Sequence, residues 1–148
     1  MDKVYVEATY KSLNKLNEEL CGDRVEIVKN DDSYFVVLSD GLGSGVKANI
    51  LSTLTSKIIS TMMFQGASIE DTVETIVHTL PVCSVRKVAY STFMILQISY
   101  DGNAYLVEFD SPGCIFVRDG RLMNIEYNHR SIAGKEIKEA HFKVKPND

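Results

Sequence analysis

The apolar positions of the chain change period twice. Near the N-terminus and again from Val88 onward they alternate with polar ones, the two-residue rhythm of strands with one face on a core. Between these regions they recur every three or four residues, the rhythm of helices. Arg24-Val25-Glu26-Ile27-Val28 predicts a strand, and Tyr34-Phe35-Val36-Val37-Leu38 predicts an apolar one. Asn30-Asp31-Asp32-Ser33 between them is turn chemistry, so the two should form an antiparallel hairpin. Val4 to Ala8 predicts a further short strand. Leu13, Leu16 and Leu20 give Ser12 to Leu20 the spacing of a short helix or loop.

In the middle region Ile50, Leu51, Leu54, Ile58, Met62 and Met63 set an apolar stripe along a helix from Val46 to Met63. Gly66 stands where its stop belongs. Ser68-Ile69-Glu70-Asp71 reads as an N-cap with an acid at the third helical position. It opens a second helix on Ile69, Val73, Ile76, Val77 and Leu80, ended by Pro81. The two helices should pack as an antiparallel pair on one face of a sheet. Beyond Val88 the pattern predicts strands over Thr92–Ile98 and Asn103–Phe109, joined by the turn Tyr100-Asp101-Gly102-Asn103. Cys114–Arg118 and Arg121–Ile125 follow, joined at Asp119-Gly120, the strongest hairpin signal in the chain. Lys138 to Val144 predicts a last, weak strand. A helical middle between flanking strands argues for an α+β fold with antiparallel pairing.

Length and composition narrow the class. A chain of 148 residues without repeats or linker fits one domain, residues 1–148. At this size roughly 70% of the unfolded surface can be buried. The balance of 45% apolar and 24% charged residues is that of an ordinary globular domain. A net charge of −4, with Lys and Arg scattered, argues against a nucleic-acid partner. No apolar run nears the ~20 residues that span a bilayer, and Met1-Asp2-Lys3-Val4 opens no secretory signal. Cys21, Cys83 and Cys114 are odd in number and far apart, which suggests neither zinc nor disulfides but small buried side chains in a reducing cytoplasm. His78, His129 and His141 form no HxH or HExxH pair, so histidine ligation of a metal is not expected.

The candidate chemistry lies in Ser39-Asp40-Gly41-Leu42-Gly43-Ser44-Gly45, between the apolar strand and the first helix. A hard divalent cation takes carboxylate, carbonyl and water oxygens. Asp40 at a strand end can be such a ligand, and Gly41 leaves its carbonyl open to close approach. The start of the helix would favour an anion such as a phosphate. Two other readings stand beside this one. The loop can be a plain strand-to-helix turn. It can also be a nucleotide loop, although GxGxG is not GxGxxG and no GK[ST] closes it.

Further residues carry a resemblance. Cys21-Gly22-Asp23, the hairpin, Leu38 to Gly45 and the long helix with Ala48 early in it resemble the metal-dependent serine/threonine protein phosphatases (type 2C class). The bacterial branch typified by sporulation stage II protein E is the more similar. Gly66 before a second helix, Tyr90-Ser91-Thr92-Phe93 leading into a central strand, and Ser111-Pro112-Gly113 running to Arg118-Asp119-Gly120 are all similar to that branch. The likeness spans most of residues 4 to 145.

That resemblance implies two antiparallel β-sheets in a sandwich flanked by helix pairs, with a dinuclear Mn2+ or Mg2+ centre at one end. Metal-held water would attack a phosphoserine or phosphothreonine directly, so no protein nucleophile is required. It implies that Asp23 and Asp40 are metal-ligating carboxylates and that Gly41 offers its carbonyl oxygen. Taken alone, Gly22-Asp23 is ordinary turn chemistry. The hairpin, however, returns the chain to the same end of the sheet at Asp40. Substrates in the bacterial branch are phosphorylated regulators such as anti-sigma-factor antagonists, which implies a place in sigma-factor regulation.

The chain also departs from the pattern. The family's second Ser/Thr-Asp-Gly motif and its last aspartate are missing from a sequence that stops at Pro146-Asn147-Asp148. Asp101-Gly102 and Asp119-Gly120 join adjacent strands and do not substitute. The expectation is a partial phosphatase domain with half the metal ligands, binding metal weakly and hydrolysing poorly. The alternative is a non-catalytic phosphatase-like regulatory module. A missing last strand would leave an exposed sheet edge open to a homodimer.

Overall fold

The computed structural model describes residues 3–41, 43, 45–79 and 91–148. Its elements in chain order are β1 (Asp23–Lys29), β2 (Ser33–Gly41), α1 (Gly45–Phe64), α2 (Ile69–Thr79), β3 (Ser91–Ser99), β4 (Asn103–Phe109), β5 (Phe116–Arg118), β6 (Arg121–Met123), β7 (Asn128–Ile132) and β8 (Lys135–Lys143). Six strands form an antiparallel sheet in the order β1-β2-β3-β4-β8-β7, and β5 and β6 form a separate two-stranded ribbon. The α+β class with antiparallel pairing is therefore as the sequence pattern predicts. The sheet edges are β1 and β7.

Alternation in β2 and β3 decides which face takes the helices. Phe35, Val37, Phe93 and Ile95 are buried, and they join Ile59 and Met63 of α1, Ile69, Val73 and Ile76 of α2, and Val107, Ile132 and Ile137 in one core. Both helices thus lie on one face, as expected. Part of the opposite face is screened by the N-terminal segment, where Tyr5 meets Tyr34 edge-on at 6.5 Å. The ribbon reaches the sheet where Phe116 meets Phe142, ring centroids 5.0 Å apart. No helix among the described residues is long and apolar enough to cross a membrane.

Four sequence expectations need correction. Val4 to Ala8 is not a strand: it runs over the sheet as irregular chain, and Val4 N–H donates to Tyr100 O at 2.8 Å. Cys114 and Ile115 lie outside the ribbon, whose strands keep three residues each around the Asp119-Gly120 turn. β7 was not legible at all, and β8 begins earlier than predicted, at Lys135. The apolar stripe of α1 is rotated. Leu51, Ile59 and Met63 are buried, but so are Ala48, Ser52, Thr55, Ser56 and Ser60, while Ile50 and Leu54 are about half exposed. The physical reason is distance: small side chains let the helix lie close on the sheet. Their hydroxyls are satisfied locally, with Ser52 donating to Asn49 O at 3.0 Å and Thr55 to Leu51 O at 2.8 Å, so burying them costs little.

The helix ends follow their local chemistry. Gly66 takes φ +81°, its N–H donates to Met63 O, and Ala67 N–H donates to Met62 O. This left-handed stop closes α1 where the sequence places it. Ser68 Oγ accepts the Asp71 N–H at 3.1 Å and caps α2. Glu70 then pairs with Arg130 of β7, which also bonds Glu139 of β8 at 2.8 Å. The predicted end of α2 at Leu80-Pro81 lies outside the described residues, as does Cys83.

Candidate metal and phosphate site

The site is assembled by register. Asp23 opens β1 and stands directly across from Asp40 of β2, whose partner on the other side is Thr92 of β3. Directly paired residues share a face, so the two carboxylates stand side by side on the face away from the helices. Gly41 N–H donates to Gly22 O at 2.9 Å, closing the ladder just past the pair. Behind Asp40, Ser39 turns inward, fully buried, and its hydroxyl meets that of Ser91 at 2.5 Å. Asp40 therefore projects from a strand end that is fixed from both sides.

Gly41 is required for steric reasons. A Cβ there would lie 2.1 Å from the carbonyl oxygen of Ala48, a backbone atom that cannot swing aside. Gly22 is close to the helix but less constrained, with the Cβ of Ala48 3.3 Å from the place its own would occupy. The first turns of α1 thus lie directly on the two strand ends that carry the aspartates. Asn49, in the same part of α1, donates its Nδ2 hydrogen to Cys21 O at 2.9 Å. At the start of α1, where an incoming anion was expected, a carboxylate oxygen of Glu18 lies 3.1 Å from the position a Cβ on Gly45 would take.

The electrostatics follow from the pairing. Asp40 is exposed as a residue, yet its carboxyl is partly shut off from water. That desolvation, together with a side-chain hydrogen bond to Asp23 and the Asp23 charge, pushes its pKa up from 3.8 to about 6. Two carboxylates that resist being ionised together form a place where a cation relieves the repulsion. The donor set of two carboxylates and a backbone carbonyl next to them suits a hard divalent ion. Among the described residues no group of three or more His, Cys, Asp and Glu side chains converges. The histidines are placed elsewhere: His78 ends α2, His129 is exposed on β7, and His141 stacks on Tyr105 at 4.5 Å.

Every strand pair in the sheet is antiparallel, so β2 and α1 do not belong to a parallel βαβ unit of the kind that carries dinucleotide loops. An antiparallel sheet with two helices on one face, beside a small ribbon, is the architecture of a type 2C-like phosphatase domain. The family described as stage II sporulation protein E (SpoIIE) matches residues 30–148, and the chain belongs to that family. No curated protein sequence is a significant match.

Solved structures show the same fold. The PP2C phosphatase domain with a regulatory-domain fragment of SpoIIE from Bacillus subtilis is similar at TM-score 0.75 and 19% identity, over 91% of this chain and 41% of that one. The RsbU and RsbW domains of Rv1364c from Mycobacterium tuberculosis give TM-score 0.71 at 14% identity, over 90% of this chain and 39% of that one. RsbX, in complex with magnesium, gives 0.54 at 22%, over 67% and 47%. The chain thus spans less than half the length of each of these relatives.

Proposed function

We propose that the chain is a phosphoserine/phosphothreonine phosphatase domain in which Asp23, Asp40 and the Gly41 carbonyl hold Mn2+ or Mg2+. The observation that carries this reading is the cross-strand pairing of Asp23 with Asp40 at the sheet end nearest the start of α1. The magnesium in RsbX, a protein of similar fold, supports it. Held by these residues, such a metal would supply polarisation of a phosphoryl group and a lowered pKa for water. The chain's own part is to hold two carboxylates side by side at one end of the sheet and to give up the proton that Asp40 retains up to about pH 6. The substrate class is a phosphorylated regulatory protein of the anti-sigma-factor-antagonist type, in keeping with the RsbU and RsbW domains among the similar folds.

A second reading, a phosphatase-like regulatory module without turnover, is favoured by one observation. Only two carboxylates converge among the described residues. Mn2+ titration by calorimetry, with p-nitrophenyl phosphate hydrolysis in the same buffer, separates the two. Binding weakened about 10-fold or more by Asp40→Asn, together with turnover, supports the phosphatase. Binding without turnover supports the module, and no binding by the unaltered chain overturns the metal site. Either form could dimerise by strand addition at β1 or β7, which leaves a doubled mass in light scattering.

A further inference from the structure

We propose that Asn49 is a positioning residue for the carboxylate pair, setting where Asp23 stands relative to Asp40. The inference rests on the reading of that pair as the metal site. β1 is an edge strand, so Asp23, its first residue, has a neighbouring strand on one side only. Residues 3–22 ahead of it form no helix or strand that could hold it. A strand end in that situation frays unless something outside the ladder ties it down. Two contacts do so. Gly22 O accepts the Gly41 N–H at 2.9 Å, and Cys21 O, two residues before Asp23, accepts the Asn49 side-chain amide at 2.9 Å. The second reaches across from α1, a different element with its own anchorage in the core through Leu51, Thr55 and Ile59.

The residue type fits the task. Asn is a poor helix former at an interior position, so its place in α1 answers to something other than helix stability. Its amide has the donor that a carbonyl needs, and its short side chain fixes that donor more tightly than a longer one. Asn49 is half-buried and touches neither carboxylate in the hydrogen-bond network, so it acts through the segment Cys21-Gly22-Asp23. Support of this kind behind a ligand changes metal affinity by about 10- to 100-fold when lost.

The test has a metal-free arm and a metal arm, both on the 148-residue chain. In the first, amide hydrogen exchange is compared between the unaltered chain and Asn49→Ala. The Gly41 amide, bonded to Gly22 O, should exchange about 10-fold faster, a loss of roughly 1.4 kcal/mol of local protection. The Val37 amide in the middle of β2 should keep its rate. Unchanged exchange at Gly41, or an equal rise at Gly41 and Val37, overturns the positioning role. In the second arm Mn2+ affinity should fall about 10-fold in Asn49→Ala at nearly constant Tm and recover only in part in Asn49→Gln, which keeps the donor on a longer side chain. Mn2+ affinity that survives Asn49→Ala but is lost in Asp40→Asn overturns the proposal as well. An unaltered chain that takes up no Mn2+ refutes the metal site itself, and the exchange rates then decide the role of Asn49 by themselves.

Discussion

The same dipeptide occurs at two places in this molecule and does opposite things. Asp119-Gly120 turns the chain between β5 and β6, with both residues at positive φ, +50° and +73°, and with open space around Gly120. Its glycine is there for backbone conformation. Asp40-Gly41 ends β2 within the ladder, and its glycine is there because the backbone of α1 passes over it. The aspartates differ accordingly. Asp119 is an exposed turn residue, whereas Asp40 faces a second carboxylate across the strand. A local motif becomes a candidate site only when the topology brings a helix and a second acid to it.

Alanine at the two glycines should separate these roles most strongly. Gly41→Ala forces a methyl group to within 2.1 Å of the Ala48 carbonyl, and either the helix or the strand end must move. The expected loss is about 3 kcal/mol or more, about 6–12 °C in Tm for a domain of this size. Gly120→Ala keeps its space and meets only the left-handed backbone, a cost of about 1 kcal/mol. Differential scanning calorimetry of the two variants measures the contrast, and equal shifts would show that α1 does not press on Gly41.

Asparagine at the two aspartates comes next. Asp40→Asn should lower Mn2+ affinity by about 10-fold or more, since one of two paired carboxylates is gone. Asp119→Asn should leave affinity unchanged and keep the turn intact, because Asn suits the same left-handed position. Calorimetric titration of both variants gives the comparison. A loss of binding in Asp119→Asn would move the metal away from the sheet end proposed here.

Much of this arrangement is legible in the sequence. The β1–β2 hairpin, both helices, the stop at Gly66, the cap at Ser68 and the Asp119-Gly120 turn each rest on local chemistry, and each is present in the fold. The β7–β8 hairpin was not legible because its turn uses Ala133 and Gly134 at φ +49° and +78°. Alanine gives no sign of the left-handed position it occupies. β7 itself, Asn128-His129-Arg130-Ser131-Ile132, has almost no apolar alternation and is held partly by Arg130 between Glu70 and Glu139. The buried face of α1 was misplaced because hydrophobicity says nothing of how closely a helix approaches a sheet. Ser52, Ser56 and Ser60 are buried for their size. Asp23 and Asp40 could be named from their flanks, but their direct register could not, nor could Asn49, whose role depends on a contact 28 residues away in sequence.

The smallest effect expected concerns pH, and it sharpens the contrast between the two aspartates from another side. Asp40 has its folded-state pKa raised, to about 6 from 3.8, by partial desolvation first and then by its bond to Asp23 and the Asp23 charge. The folded chain therefore holds a proton there that the unfolded chain has already released between these two values. Where the folded state binds more protons, stability falls as pH rises. This contribution is fully present below about pH 4 and is lost as pH passes through about 6. In metal-free buffer, Tm should accordingly decline from pH 4.5 to 7 through this pair. Asp40→Asn, which cannot ionise, should flatten that decline and be the more stable protein at pH 7. Asp119→Asn should follow the unaltered chain throughout. Millimolar Mn2+ should raise Tm at pH 7 far more than at pH 4.5, because the cation competes with the proton for the same two carboxylates. Parallel thermal melts of the three proteins across this range, with and without Mn2+, make the measurement. A pH slope unchanged by Asp40→Asn would mean that the two carboxylates at this sheet end do not interact.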